Sequence, residues 1–299
     1  MYQIGNSQFV ADGKRLRLEL NDSQSLLGDP AALRDRLFED GYLFLRSVHD
    51  REEVLAARRS ILERLSKRGE IAADAPLMDG VIATDIDKQS TSSVRGNEDL
   101  KNDFLRQVVY GTRILRFFEQ LLGGPIVGLQ FQWLRAAGTG ARSAIHCDAP
   151  FMSRGSQRLL TCWTPLGDLT PEMGPLAICL GSHRWRSVVE TYGQSDVDRD
   201  LTNGAFTEDA NELVDTFGGQ WATADFRAGD VVIFGMHLLH ASLTNQTDRF
   251  RISVDTRYQP AEDRVDERWA GDCPRGHDRF WEPGVNLEPI AVSRAKWGV

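Results

Sequence analysis

The sequence predicts a mainly β protein with an N-terminal helical part, and two features carry that expectation. Up to about residue 125, apolar residues recur at helical spacing between capping and stop signals; from about 126 they fall into short runs separated by turns. Helices first and a many-stranded unit second argue for one β-core with a helical buttress. The number and even spacing of the strands fit a jelly roll. A length of 299 residues suits a single large β-core with decorations, and neither a linker nor an internal repeat divides it. The whole chain, 1–299, is therefore expected to be one domain.

The elements follow in order. Asp29-Pro30 supplies an N-cap and first helical position for a helix that Gly41 stops, and residues 41–48 read as a short strand. A second helix opens at Asp50 and runs to Gly69, with Leu55, Ile61, Leu62 and Leu65 on a partial apolar face. Residues 79–98 are polar, Ser/Thr-rich and aperiodic, which predicts a long loop. A third helix is expected over about 99–122, where Phe104, Val108, Ile114, Leu115, Phe118 and Leu122 lie near helical spacing. Strands are expected at 126–136, 143–149, 158–166, 174–182, 230–242 and 250–259, forming a core over about 126–260. An insertion at 184–219 carries eight acidic residues between Glu190 and Asp215 against one basic residue, Arg199, and reads as a solvated surface excursion. Residues 261–299 read as a C-terminal tail.

Composition excludes several classes. A net charge of −8 without any basic stripe argues against nucleic acid as the partner. The longest apolar run, Val231 to Leu243, contains His237 and His240 and falls short of the roughly 18 residues a membrane span needs. The first twenty residues show no signal pattern. Cys147, Cys162, Cys179 and Cys273 have no CxxC spacing and read as reduced thiols, so a cytoplasmic protein is expected. Thirty Arg against five Lys points to a GC-rich bacterial genome.

Six histidines are present, and one of them stands in an informative setting. His146 precedes Asp148 by two, and on a β-strand residues i and i+2 share a face, so imidazole and carboxylate can converge. Cys147 would then point away. A second histidine could come from His237 or His240, of which His240 precedes a small residue and a polar segment. Two histidines and one carboxylate form a facial triad that leaves adjacent positions open on octahedral iron(II). The helical H-E-x-x-H of zinc hydrolases is absent. His49 and His277 sit in loop and tail contexts without such partners, and His183 reads as part of a turn.

Eleven residues after His240 comes Arg251, sharing one strand face with Ser253 while Phe250, Ile252 and Val254 share the other. An inward arginine in an apolar core needs an anionic partner, and a guanidinium grips a carboxylate bidentately. Inward, Arg251 is suited to hold the far carboxylate of a dicarboxylate whose other end chelates the metal; outward, it is surface charge, as Arg249 is expected to be. Alternation alone does not choose. Nor does it choose between Gln130 with Gln132 and Phe131 with Trp133 and Arg135 as the set lining the core. Arg142, Arg154 and Arg158 flank the metal motif and read as surface charge.

Together these residues resemble the phytanoyl-CoA dioxygenase family. His146-x-Asp148, the segment Pro171 to His183, Gly229 to Phe234, His240-Ala-Ser242 and Arg251 occur in that family's order, across roughly residues 30–260. The resemblance implies a double-stranded β-helix, a jelly-roll variant related to the cupins, and an Fe(II)/2-oxoglutarate-dependent oxygenase. It implies that His146, Asp148 and His240 bind iron and that Arg251 binds the C5 carboxylate of 2-oxoglutarate. Trp163, Thr161 and Ser242 are implied as further cosubstrate contacts. Dioxygen would be the other cosubstrate, and a small molecule the substrate, hydroxylated as 2-oxoglutarate is decarboxylated to succinate. Related halogenases have a small residue in place of Asp148, so its presence implies oxygen transfer. The chain departs from the family in carrying Arg135 where lysine is frequent, and in the acidic insertion. Two other classes fit the same residues: a non-catalytic jelly-roll metal- or ligand-binding protein, and a cupin-like metal-dependent isomerase or hydrolase.

Overall fold

The computed structural model describes residues 1–84, 101–280 and 282–299. The first two helices form as their capping signals dictate. Helix α1 (Pro30–Asp40) is capped by Asp29, whose carboxylate accepts from the Ala31 and Ala32 amides at 3.0 Å. It ends at Gly41 with φ of 81°, a conformation that costs glycine little. Helix α2 (Arg51–Lys67) is capped by Asp50 in the same way. The expected third helix is two: α3 (Asp103–Tyr110) and α4 (Thr112–Leu122), broken at Gly111. Gly111 adopts an extended ψ of 156°, and a Cβ there would collide with the Gln107 carbonyl oxygen. Periodicity runs through the break because both halves bury the same kind of face. The expected 79–98 loop lies from residue 85 onward outside the described residues; before that, Val81 and Ile82 make short bridges to Arg249 and Ile71.

Two sheets form the core. The larger contains β4 (Tyr42–Leu45), β5 (Ile126–Gly128), β6 (Trp133–Ala137), β7 (Leu160–Pro165), β10 (Val231–Gly235) and β12 (Arg251–Pro260). Its order is β4-β10-β7-β12-β5, with β6 also paired to β12. The smaller is β11 (His240–Ser242), β8 (Leu176–Leu180), β9 (Gln220–Ala222) and β3 (Leu16–Arg17), in that order. All these pairs are antiparallel except β3 with β9. A separate hairpin joins β1 (Tyr2–Ile4) to β2 (Ser7–Phe9).

Both faces of the larger sheet are covered, which is why β12 is buried along its whole length. On the outer face, α2 and α3 pack Val54, Ile61, Leu62, Leu105 and Val108 against Leu134, Ile252 and Val254. Helices α1 and α4 pack Leu33, Ile114 and Phe118 against Leu43, Cys162, Ile233 and Tyr258. Between the sheets, Tyr42, Phe44, Trp163, Val232 and Phe234 meet Leu176, Ile178 and Ala222. The helical part is thus a buttress, and the space between the sheets is where side chains converge.

Three expected strands are corrected by the structure, and one strand was not expected. Residues 126–136 divide into β5 and β6, which pair with different stretches of β12. Residues 230–242 divide into β10 and β11, one in each sheet, with a turn at 236–239. The largely apolar run hides this switch because β10 and β11 are both buried in their own sheets. Residues 143–149 make only an isolated bridge at His146 before the chain turns into the short helix α5 (Ala149–Met152). Strand β9, just beyond the insertion, was not among those expected.

The 184–219 segment is not a solvated excursion. It forms α6 (Arg186–Val189), α7 (Val197–Asp200) and α8 (Ala210–Asp215), and it buries Val188, Tyr192, Phe206, Ala210 and Leu213 in an apolar cluster. Its acidic residues serve as caps and ion partners: Asp196 caps α7 and binds Arg154, and Glu212 binds Arg294 of the last helix, α9 (Ile290–Trp297). Nor is the C-terminal stretch a loose tail. Trp269 is wholly buried, and Asp198 accepts hydrogen bonds from Arg268, from His277 at 3.1 Å, and from the amides of Arg279 and Phe280 at 2.9 and 2.8 Å. His277, expected to be bland, is therefore a buried structural partner.

Burial alone would raise the Asp198 carboxyl, but the Phe280 and Arg279 amides and His277 outweigh it and hold it well below the usual range. A depressed folded-state pKa stabilises above the unfolded value of about 3.9 and is lost as pH falls through the folded one. Asp198→Asn should accordingly melt well below the parent at pH 7, the gap closing as pH falls below about 4. Thermal unfolding of both proteins across pH checks this; a gap that does not change with pH would refute it.

Candidate metal centre

The two sheets and α5 bring together one cluster of potential ligands. Among the described residues, His146, Asp148 and His240 are the one group of three or more His, Cys, Asp or Glu able to hold a metal, their donor atoms all within 4.8 Å of one another. His146 and His240 face each other across an antiparallel bridge, exchanging both backbone hydrogen bonds at 3.0 and 2.8 Å. Their rings consequently lie on one side, with centroids 4.3 Å apart. Asp148 joins them by a route that a pleat does not supply. It stands where the chain leaves the bridge and enters α5, with φ of −76° and ψ of −19°. Its Oδ1 lies 3.9 Å from the Nε2 of each histidine.

Surrounding groups orient all three. His146 Nδ1 is 2.9 Å from the Ala144 carbonyl oxygen and His240 Nδ1 is 3.0 Å from that of Leu238. Each Nδ1–H donating to a carbonyl leaves an Nε2 lone pair directed into the cluster. Burial and the neighbouring His240 push His146 down to about 3, so its ring is neutral and ready to ligate. Asp148 Oδ2 accepts from the Thr161 hydroxyl and from Arg257 Nη2 at 3.2 Å, which leaves Oδ1 for the cluster. Burial would raise this carboxyl, yet Arg257, His240 and His146 together hold it far below the carboxylate range. Two imidazoles and one carboxylate are the donors of a facial triad.

Arg251 points inward. It is 3% exposed, its Nη1 donates to Ser253 Oγ at 2.7 Å, and its Nε has no partner among the described residues. Burial and Arg135 pull its guanidinium down to about 10. Arg249 faces solvent, as expected. The register of β12 follows from its packing: Ile252 and Val254 meet the helices, so Arg251, Ser253, Asp255 and Arg257 face the space between the sheets.

The phytanoyl-CoA dioxygenase family model matches residues 37–253, most of the chain. The chain belongs to the phytanoyl-CoA dioxygenase family. Members of this family are iron- and 2-oxoglutarate-dependent oxygenases, and the donor set at 146, 148 and 240 fits iron(II). A 1-deoxypentalenic acid 11-beta-hydroxylase from Streptomyces exfoliatus is 28% identical over 256 residues, covering 80% of this chain and 84% of its own. The ectoine dioxygenase of Stutzerimonas stutzeri is 26% identical over 273 residues, covering 88% and 86%. Among solved structures, the epimerase SnoN in complex with Fe3+, alpha ketoglutarate and nogalamycin RO superposes with a TM-score of 0.58 at 23% identity, covering 87% of this chain and 94% of that one. EctD from S. alaskensis gives 0.56 at 18% identity, covering 97% and 95%. At such identities these two structures show the fold alone. No helix among the described residues is long and apolar enough to cross a membrane.

Within this family fold, the other residues singled out from sequence take definite places. Thr161 holds Asp148, and Trp163, two residues along β7, shares its inward face and packs edge-on against Phe226 at 4.8 Å. Ser242 Oγ accepts from the Ser143 amide at 2.7 Å, while Ser143 Oγ accepts from that of Ser242. Cys147 turns away into the apolar cluster beside Tyr192. His237 lies in the 236–239 turn, outside the cluster. His183 packs on Gly41, with Nε2 3.2 Å from the Phe38 carbonyl oxygen, a purely structural contact. Phe131, Trp133 and Arg135, not the two glutamines, line the interior: Arg135 pairs with Asp255 at 3.3 Å, and Gln130 binds backbone. Arg154 and Arg158 are engaged in ion pairs with Asp196 and Asp263.

Sequence reasoning missed Arg257. The signal was present: polar Arg251, Ser253, Asp255 and Arg257 alternate strictly with Ile252, Val254 and Thr256, so an inward Arg251 implies an inward Arg257. Phe151, edge-on to His146 at 5.6 Å, and Trp269, 4.9 Å from Trp133, were also missed. No local pattern marks either.

Proposed function

We propose that this chain is an Fe(II)- and 2-oxoglutarate-dependent dioxygenase that hydroxylates a small molecule, on a double-stranded β-helix acting as one catalytic unit. The observation that carries it is Arg251: a buried guanidinium with an unpartnered Nε, on the same inner sheet face as the residues that hold Asp148. An isolated buried cation is unfavourable without an anion, and the carboxylate of a bound dicarboxylate supplies one. In this reading His146, Asp148 and His240 ligate iron, and Arg251 with Ser253 holds the C5 carboxylate of 2-oxoglutarate. Trp163, Thr161 and Ser242 wall the cosubstrate.

Iron, 2-oxoglutarate and dioxygen, when bound, supply the oxidising power, releasing succinate and carbon dioxide. The chain supplies position. The Ala144 and Leu238 carbonyls fix the two imidazole tautomers; Thr161 and Arg257 keep Asp148 ionised and turned toward the histidines. Apolar walls around Trp163, Phe226 and Phe234 exclude water from one side of the centre. The two curated relatives carry the names of a hydroxylase and a dioxygenase acting on small molecules, which supports a small-molecule substrate here. Nothing in the charge pattern favours nucleic acid, and the reading includes neither membrane nor macromolecular partner.

Anaerobic titration of the apoprotein with Fe(II) and 2-oxoglutarate tests this reading. A weak visible charge-transfer band that needs both components, and that is lost in Arg251→Ala, is expected. Iron binding without such a band would favour a non-catalytic binding protein or a metal-dependent isomerase or hydrolase instead.

A further inference from the structure

Six residues beyond Arg251, the inner face of β12 carries a second buried guanidinium that the reading above does not fully use. Arg257 is 3% exposed, and Nη2–Asp148 is its one side-chain hydrogen bond among the described residues, at 3.2 Å. Its Nε and Nη1 are buried without a partner among the described residues. A guanidinium serving only to pair with a carboxylate can do so through two parallel bonds, as Arg51 does with Asp168 at 2.7 and 2.8 Å. Arg257 instead makes one such bond, with its Cζ over the Trp133 ring at 3.7 Å from the ring centre.

Beside it stands an aromatic group. Phe131, Trp133 and Trp269 have ring centroids 4.6 to 5.1 Å apart, and Phe131 and Trp133 are only partly buried. Charge on the inner face around the triad is unbalanced: Asp148 and Asp255 stand against Arg135, Arg251 and Arg257, leaving one positive charge over. Iron(II) with doubly charged 2-oxoglutarate is neutral as a pair and does not cancel it. The nearby acidic residues Asp198, Asp266 and Asp196 are taken up by Arg268 and Arg154.

We propose that Arg257 binds an anionic oxygen group of the substrate, and that the substrate class is a small monocarboxylate whose apolar body rests on Phe131 and Trp133, which Trp269 backs from the core. This rests on the assignment of the triad and Arg251 made above. A cationic substrate is disfavoured by the same guanidinium, and a dianion would overshoot the single charge to be balanced.

Benzoate and its neutral counterpart benzamide test the assignment, titrated by calorimetry into the full chain loaded with Co(II) and saturating 2-oxoglutarate, which does not turn over. Benzoate should bind at least about tenfold more tightly than benzamide, the range expected of one or two charge-assisted hydrogen bonds. Arg257→Gln should erase that preference and Arg257→Lys should keep part of it. Equal binding of the two probes, no benzoate binding, or a preference that survives Arg257→Gln would each overturn the proposal. A weaker hold on Co(II) in Arg257→Gln with the preference intact would mean that the residue serves Asp148 alone, which also overturns it. The comparison on the unsubstituted protein stands even where the variants do not fold. Binding of 2-oxoglutarate to the Co(II) protein is measured first and separately, so its failure marks the oxygenase reading and not the role of Arg257.

Discussion

Asp148→Ala is expected to bind Fe(II) at least ~100-fold more weakly than the parent and to show no substrate-coupled consumption of 2-oxoglutarate. Losses of that order follow even from removing groups that merely support ligands, and here a proposed ligand itself is removed. The substitution has a second consequence in the metal-free protein. Asp148 is the one side-chain hydrogen-bond partner of Arg257 among the described residues, and removing one member of a buried pair costs about 3–5 kcal/mol. Ligand loss and fold loss are separated by Asp148→Asn, which keeps an acceptor for Thr161 and a similar volume while discarding the charge. Metal affinity by anaerobic titration and melting temperature by circular dichroism are the two measurements. Full coupled activity in Asp148→Ala would remove this residue, and with it the triad, from the assignment.

Arg251→Ala should raise the concentration of 2-oxoglutarate required for half-maximal rate by about 10- to 100-fold. Each charge-assisted hydrogen bond from the guanidinium is worth about 1.5–3 kcal/mol, which sets that range. The requirements for substrate and for iron should stay within about twofold, because Arg251 touches neither the triad nor the aromatic group around Trp133 in this structure. Lysine should rescue only part, since it cannot reproduce a bidentate grip. The stability signature runs the other way. Burial and Arg135 make the Arg251 charge unfavourable in the ligand-free chain, with Nε left unpartnered. Arg251→Ala should therefore keep or raise the melting temperature of the ligand-free protein while abolishing the stabilisation that added 2-oxoglutarate gives the parent. An unchanged requirement for 2-oxoglutarate would mean that Arg251 answers some other buried anion.

Much of this site was legible in the sequence because its chemistry demands rare residue types. With only six histidines in the chain, His146 beside Asp148 and a later His240 ahead of Arg251 narrowed the candidates before any fold was known. The helices α1 and α2 were equally legible, since Asp29-Pro30, Gly41 and Asp50 act on their own neighbours through the backbone. Local signals fail where one local pattern serves two environments. The apolar run from Val231 to Leu243 gives no mark of its passage between sheets, because both sheets bury it. Gly111 interrupts a helix without interrupting its apolar periodicity.

By itself, then, the sequence determined the helical buttress followed by a β-core, the donor types that cluster at 146, 148 and 240, and the presence of an arginine able to meet an anion. Tertiary structure alone decided which way the arginines face. On β12 either side of the strand could have been inner; packing of Ile252 and Val254 against α2 and α3 turned Arg251 and Arg257 toward the space between the sheets, where His146, Asp148 and His240 cluster. It also decided that Asp148 meets Arg257, 109 positions away, and that the acidic insertion and the C-terminal stretch close into the core through Asp198, Arg268 and His277. The physical reason is common to all three. The direction of a side chain on a strand buried on both faces, and the partner of a buried charge, are fixed by what packs against them across the fold, and no run of neighbouring residues carries that information.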